Sequence, residues 1–460
     1  MSEGAPKLWF ESALLPGGWA RRVRLTGGHG VITAIEAEVD PAADDERHSV
    51  AVPGLPNLHS HAFQRAIAGL TERRGLAADS FWTWRELMYR FVERVDPDQL
   101  EAVTALAFAE MLEAGFTRVG EFHYLHQDKS GLPFADPGEL AGRVAAAAAQ
   151  TGIALTLLPT FYAHSGFGAR EPSAHQRRFV TDLERFARIM ESSRRAVRAL
   201  AAGNLGVAPH SLRAVTPEEL TDVAALAAGG PIHIHVAEQV REVEECVAWC
   251  GRRPIEFLFE AAPIDDRWCL VHATQATTGE LERIAAAGAV VGLCPITEAS
   301  LGDGVFPALE FQALAGRSGI GTDSNVLLDA AAELRSLEYS QRLTRRARNV
   351  LAGESGHSTG RSLFDAALAG GAQALGGTGT GGPVGLIADA PFDLVGLDAA
   401  HAALIERRED EILDSWIFAA GRDAIDCVWR AGEKVVSGGR HRQRDGIIAR
   451  YRRAMKTLLT

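Results

Sequence analysis

Val50-Ala51-Val52-Pro53-Gly54-Leu55-Pro56-Asn57-Leu58-His59-Ser60-His61 is an apolar run that ends in two histidines one residue apart. Side chains at i and i+2 of a strand point to the same side. If this run is a strand, its end aims two imidazoles at one point, where a divalent metal fits. Two surface histidines in a loop would read the same way, so the pair alone leaves both readings open.

Working outward, residues 51–58 are the first of eight short apolar runs. The others are 117–122, 154–160, 205–209, 231–236, 268–271, 289–294 and 318–322. Ala/Leu/Glu/Arg-rich helical patterns follow most of them, as at 218–228, 242–248 and 280–287. Several such patterns stop at a glycine, Gly115 and Gly288 among them, as helix C-termini prefer. Eight strand–helix units predict an α/β fold, a (β/α)8 barrel. An open doubly wound sheet would carry a Gly-rich phosphate turn after its first strand, and none is present there. At either end of the chain the pattern is different. Residues 19–25 and 30–39, then 392–397 and 426–436, read as short alternating strands split by turns. They predict a small β-sandwich domain assembled from both termini, 1–51 with 386–460, around a barrel domain at 52–385. The Gly/Thr/Ala stretch 370–382 reads as a loop before the closing strands.

The 460 residues are 47% hydrophobic and 23% charged, an ordinary globular composition. A formal net charge of −12 argues against nucleic acid or an anionic membrane as partner. No apolar stretch approaches the roughly 20 residues that span a bilayer. The N-terminus shows no signal-peptide pattern, and the five scattered cysteines suit a reducing cytoplasm. Cys246 and Cys250, four apart with no further Cys or His nearby, read as ordinary helix residues.

Barrels of this kind keep their active sites at the C-terminal ends of the strands. Strand 1 ends in His59-Ser60-His61, strand 2 in Glu121-Phe122-His123-Tyr124, and strand 4 in His210-Ser211-Leu212-Arg213. Strand 5 carries His233 and His235 with Glu238 just beyond, strand 6 ends in His272, and strand 8 in Asp323. Any one of these histidines alone reads as a satisfied core residue. A His or Asp at the same relative position on strands 1, 5, 6 and 8 is seldom accidental.

With these motifs in view, Leu58-His59-Ser60-His61, His235-Val236-Ala237-Glu238, Leu270-Val271-His272-Ala273 and Gly321-Thr322-Asp323-Ser324-Asn325 resemble the amidohydrolase superfamily. The branch is that of the cytosine, guanine and adenosine deaminases. The segments 57–65, 80–85, 120–124, 208–213 and 299–304 are most similar to the formimidoylglutamate deiminase family of bacterial histidine degradation. Binuclear superfamily members carry a carboxylated lysine at the end of strand 4. Here Pro209-His210 occupies that place, and Lys7, Lys129, Lys434 and Lys456 all lie elsewhere. The resemblance therefore implies a single metal held by His59, His61, His235 and Asp323. Such a set suits Zn2+, with Fe2+ or Mn2+ less favoured. His233, one layer deeper than His235, is expected to be a buried, hydrogen-bonded histidine.

Hydrolysis of an amidine carbon needs an activated water, a proton for the departing nitrogen and stabilisation of a tetrahedral carbon. The expected roles are ligand and base for Asp323, orientation and charge stabilisation for His272, and proton shuttling for Glu238. Arg213 and Arg85 fit the two carboxylates of a glutamate derivative better than a neutral nucleobase. The resemblance adds Gln64, Tyr124 and His210 as polar substrate contacts and implies a homodimer. Arg85 is placed in a long loop after strand 1. The aromatics Phe81, Trp82 and Trp84 before it read equally as a cover over the site or a subunit contact. The expected reaction is deimination of N-formimino-L-glutamate. The alternatives are a deaminase of purines, pyrimidines or other amidines, and a non-catalytic barrel scaffold.

Overall fold

The computed structural model describes residues 6–75, 79–377 and 384–459. Four strands open the chain: β1 (Lys7–Leu15), β2 (Gly18–Gly28), β3 (Val31–Glu36) and β4 (Glu46–Pro53). The next nine are β5 (Leu55–Ser60), β6 (Phe116–His123), β7 (Ala154–Phe161), β8 (Gly203–Leu205), β9 (Ala208–Pro209), β10 (Ile232–Val236), β11 (Trp268–His272), β12 (Val290–Leu293) and β13 (Arg317–Ile320). The last four are β14 (Leu394–Leu397), β15 (Ile425–Arg430), β16 (Glu433–Ser437) and β17 (Arg440–His441).

The terminal strands form one mixed sheet in the order β17-β16-β15-β14-β4-β1-β2-β3. The two ends of the chain meet where β14 runs antiparallel to β4, with Leu394 opposite Pro53. The central strands are parallel, in runs β5-β6-β7-β8 and β10-β11-β12-β13. Bridges Val207↔Ile232 and Ser211↔His235 join the two runs on one side, and Ser60↔Asp323 closes the ring on the other. This is the expected barrel.

Three details differ from the sequence reading. The apolar run 51–58 is two strands, because Gly54 separates β4 in the terminal sheet from β5 in the barrel. Both halves are buried, so the run carries no alternation that would mark the change. Residues 205–209 are likewise two short pieces, β8 and β9, the second paired to β7. In the stretch read as a loop at 370–382, residues 370–374 finish the helix Thr359–Ala374, while 378–382 lie outside the described residues.

Helix starts follow the local chemistry. Asp96, Thr216 and Thr277 cap helices through Gln99, Glu219 and Glu280, which answer back as capping boxes. Inside the barrel, Leu58 packs with Cys269, Val271, Val290 and Cys294. A Cβ at Gly292 or Gly319 would stand 2.7 Å or 2.6 Å from the Leu58 methyls, so those strands need glycine for β5 to seat. His59 follows directly on that plug.

Candidate metal centre and substrate pocket

The first and last barrel strands are laced at their C-terminal ends. His59 O accepts from Thr322 N and Asp323 N, both at 3.0 Å, and His61 N donates to Asp323 O at 2.9 Å. Asn57 accepts from Thr322 N at 3.1 Å and donates to its hydroxyl at 2.7 Å. This seam delivers Asp323 to the His59–His61 pair. Asp323 Oδ1 is 3.4 Å from His59 Nε2 and 3.2 Å from His61 Nε2, and His59 Nε2 is 3.1 Å from His235 Nε2. Ligands about 2.0–2.1 Å from one ion in tetrahedral array stand about 3.3 Å apart, so the donor spacing fits a metal. His61 Nδ1 donates to Phe122 O at 2.9 Å and His235 Nδ1 to His210 O at 3.1 Å. Those bonds leave the Nε2 lone pairs facing the centre. Burial holds all three imidazoles in the neutral, ligating form, His59 down to about 3. Burial disfavours charge on Asp323 too, but the surrounding histidines outweigh it and keep the carboxylate ionised.

Three further groups stand around this centre. His272 Nε2 is 3.8 Å from Asp323 Oδ2 and 3.8 Å from Glu238 Oε1, while its Nδ1 is 3.2 Å from Glu298 Oε1. Burial works against its charged form, but Glu238, Glu298 and Asp323 more than offset that and raise it to about 10. Burial raises Glu238 to about 7 against the pull of His272 and Arg213. Glu242 accepts from Ala237 N at 3.3 Å and Glu238 N at 3.0 Å, fixing the turn that presents Glu238. Ala237, His272 and Asp323 all have positive φ, 51°, 70° and 43°. Such left-handed backbone is uncommon for residues with a Cβ and gathers at functional sites.

A pocket of about 540 Å³ opens onto these groups. Its walls include Gln64, Arg85, Tyr124, His210, Arg213, His235, Glu238, His272 and Asp323, so every residue expected to act on or bind the substrate is on one cavity. Gln64 donates to the Tyr124 hydroxyl at 2.9 Å. Arg213 is 3.9 Å from Glu238, and its buried Nε has no partner among the described residues. Arg85 takes part in none of the ion pairs among the described residues. It lies over Trp82, with its guanidinium carbon 4.5 Å from the ring centre. Arg85, in no ion pair among the described residues, and Arg213, held only by the long contact to Glu238, put two guanidiniums on one cavity and make it suited to an anion.

The sequence reading is corrected at Arg85. Residues Phe81–Val92 form a helix, α1, capped by Ser80 and Thr83, not a loop. Phe81, Trp84, Arg85, Met88 and Tyr89 all face the pocket. Their spacing of three and four is that of one helical face. Arg178, fully buried, donates to Val92 O at 2.5 Å, Val95 O at 2.7 Å and Gln127 O at 3.1 Å, capping the C-terminal end of α1. His233 is buried and bonded to Ala374 O at 2.7 Å, as expected. Cys246 and Cys250 sit on the helix Val240–Cys250, also as expected.

Sequence reasoning missed the supports. Glu298, Glu242 and Arg178 carry no motif signal. Asp303 lay inside a segment already singled out, yet nothing in it showed that the carboxyl is buried. Asp303 accepts from the Gln239 side chain, and its peptide N–H donates to Glu298 O at 3.0 Å. Gln275 Nε2 donates to both Glu238 O, at 3.2 Å, and Asp303 O, at 2.6 Å. Burial and the neighbouring Glu238 raise Asp303 to about 9.

The amidohydrolase family model matches residues 50–435, which span both the seam and the pocket. The chain belongs to the amidohydrolase family. A second family description, the N-terminal domain of formimidoylglutamate deiminase HutF, matches residues 9–49. This amidohydrolase is 49% identical to the formimidoylglutamate deiminase of Pseudomonas aeruginosa over 94% of this chain and 95% of that protein. It is 26% identical to the 8-oxoguanine deaminase of the same organism, over 90% and 89% of the two chains. Among solved structures, an amidohydrolase from Brucella melitensis superposes with a TM-score of 0.95 at 53% identity, covering 99% of this chain and 100% of that one. An adenosine deaminase from Xanthomonas campestris with bound zinc shares the fold, with a TM-score of 0.81 at 24% identity and 98% coverage of each chain.

Proposed function

We propose that this amidohydrolase hydrolyses N-formimino-L-glutamate to N-formyl-L-glutamate and ammonia in histidine degradation. The observation that carries the reading is the pair of guanidiniums, Arg85 and Arg213, on the pocket that ends at the His59–His61–His235–Asp323 centre, Arg85 in no ion pair among the described residues and Arg213 in only a long one to Glu238. The similarity to the Pseudomonas aeruginosa deiminase supports the same substrate.

In this reading His59, His61, His235 and Asp323 hold one divalent ion, with Zn2+ the best match to three imidazoles and a carboxylate. Such an ion acts as a Lewis acid and can lower the pKa of a water to about 7. Asp323 takes a proton from the attacking water. His272, charged and pinned by Glu298, orients that water and stabilises negative charge as the formimino carbon becomes tetrahedral. Glu238 delivers one proton to the terminal nitrogen and Asp323 passes on the one it took, so the nitrogen leaves as ammonia when the carbon–nitrogen bond breaks, while the remaining hydroxyl proton returns to Glu238 and the carbon keeps the water oxygen as its carbonyl. Arg85 and Arg213 bind carboxylate, and Gln64, Tyr124 and His210 supply further polar contacts. The unit boundaries 1–51 with 386–460 and 52–385, a homodimer and a cytoplasmic location complete the proposal. Light scattering tests the dimer.

An ammonia-release panel tests the activity. Turnover of N-formimino-L-glutamate, with none of guanine, cytosine or adenosine, is the expected result. Activity on a nucleobase without activity on the formimino substrate would overturn it.

A further inference from the structure

We infer that Trp82 is a positioning residue that orients Arg85, a cation with no carboxylate partner among the described residues, and backs Arg213, for the substrate carboxylate. The inference rests on the substrate reading above and deepens it.

Three guanidiniums surround the one indole. The guanidinium carbons of Arg85 and Arg241 each lie 4.5 Å from the Trp82 ring centre, and that of Arg213 lies 5.9 Å away. Trp82 does not line the pocket; it precedes Arg85 by about one helical turn on α1. Arg241 lies in the first turn of the helix Val240–Cys250 and is paired with Glu245 at 2.7 Å. Its charge is therefore balanced, and its contact ties the indole of α1 to the segment that follows Glu238.

Several other arginines of this chain are oriented by carboxylates: Arg24 by Asp45, Arg253 by Glu280 and Arg143 by Glu139. A carboxylate at the Trp82 position would orient Arg85 equally well, but it would also neutralise it and compete with the substrate for the same N–H groups. An indole face attracts a guanidinium through its quadrupole and fixes the plane of the fork while carrying no net charge. It leaves the N–H edge free for a carboxylate. The main chain of Glu238 is fixed by Glu242 and Gln275, and its contact to Arg213 is long, so loosening the indole should disturb binding more than the chemical step.

The test compares W82F, W82L and W82E with the wild type, all metal-loaded and matched for metal content and melting temperature. With N-formimino-L-glutamate, W82L should raise KM roughly tenfold or more while kcat stays within about threefold. W82F, which keeps an aromatic face, should recover most of the wild-type KM. W82E should raise KM beyond W82L, because its carboxylate competes. An unchanged KM in W82L, or a loss confined to kcat, would overturn the inference. If the wild type itself fails to turn over the substrate, the substrate reading has failed, and calorimetric titration with glutarate decides the point separately. Glutarate binding that weakens in W82L upholds the role of Trp82. Equal affinity in the two proteins, or no binding to the wild type, removes it.

Discussion

The metal seam and helix α1 face the same pocket but are built in opposite ways. The seam is made of main chain: the end of β5 and the residues just after β13 exchange peptide hydrogen bonds through His59, His61, Thr322 and Asp323, and Asn57 doubles them. Its ligands leave from strand ends that cannot move without opening the barrel. Helix α1 lies between β5 and β6 in sequence and belongs to no strand. Side chains fasten it, Trp82 against Arg241 at its start and Arg178 under its end. The contrast separates two tasks. The groups proposed to make and break bonds stand on the rigid scaffold, with Tyr124, His210 and Arg213 beside them, whereas Arg85 stands on an element that only covers the pocket.

Damage to the seam should therefore appear in metal content and kcat, and damage to α1 in KM. The largest effect is expected for H235N, which removes one imidazole: metal retention should drop and kcat/KM should fall by about 10³-fold or more, measured by elemental analysis beside activity. A fully loaded, active H235N would break the comparison. E238Q keeps its shape and metal but loses the titrating group, so kcat should fall about 10²–10⁴-fold with little change in KM. R85A and R213A should each raise KM by roughly 10–100-fold, the worth of a charge-assisted contact, with R85A sparing kcat better because Arg213 also faces Glu238. D303N should cost roughly tenfold in kcat at constant metal content, since the Gln239–Asp303–Gln275 network sets the Glu238 segment. R178M should be mildest in turnover, raising KM about fivefold, yet it strands three carbonyls and should lower the melting temperature by several degrees. If R178M altered kcat and not KM, α1 would belong with the chemistry after all.

The same contrast explains what could be read from sequence. The seam was legible because a strand end converts residue identity directly into position: His59, His61, His235, His272 and Asp323 each close an apolar run. Helix α1 was not, although Phe81, Trp84, Arg85, Met88 and Tyr89 repeat at helical spacing. Its pocket face mixes an arginine with aromatics, so no plain apolar stripe marks it, and a cluster of exposed-looking aromatics suggests a loop or contact instead. The break at Gly54 was hidden for another reason: one apolar run feeds two different sheets, and burial on both faces erases the period of two. Asp303 and Glu298 escaped because acidic residues in connecting segments are ordinarily solvated, and only packing shows that these are not.

The Arg178 anchor has a consequence for change over generations of sequence. It grips α1 and its neighbour Gln127 through carbonyl oxygens alone and reads no side chain of the helix. A fastening of that kind is indifferent to what it fastens. The pocket face of α1 could be rewritten residue by residue, or the whole turn exchanged for another of equal length, with the clasp still closing on it. The share of ligand preference that α1 carries can thus drift as an independent module, while the strand ends proposed to carry out the hydrolysis stay untouched.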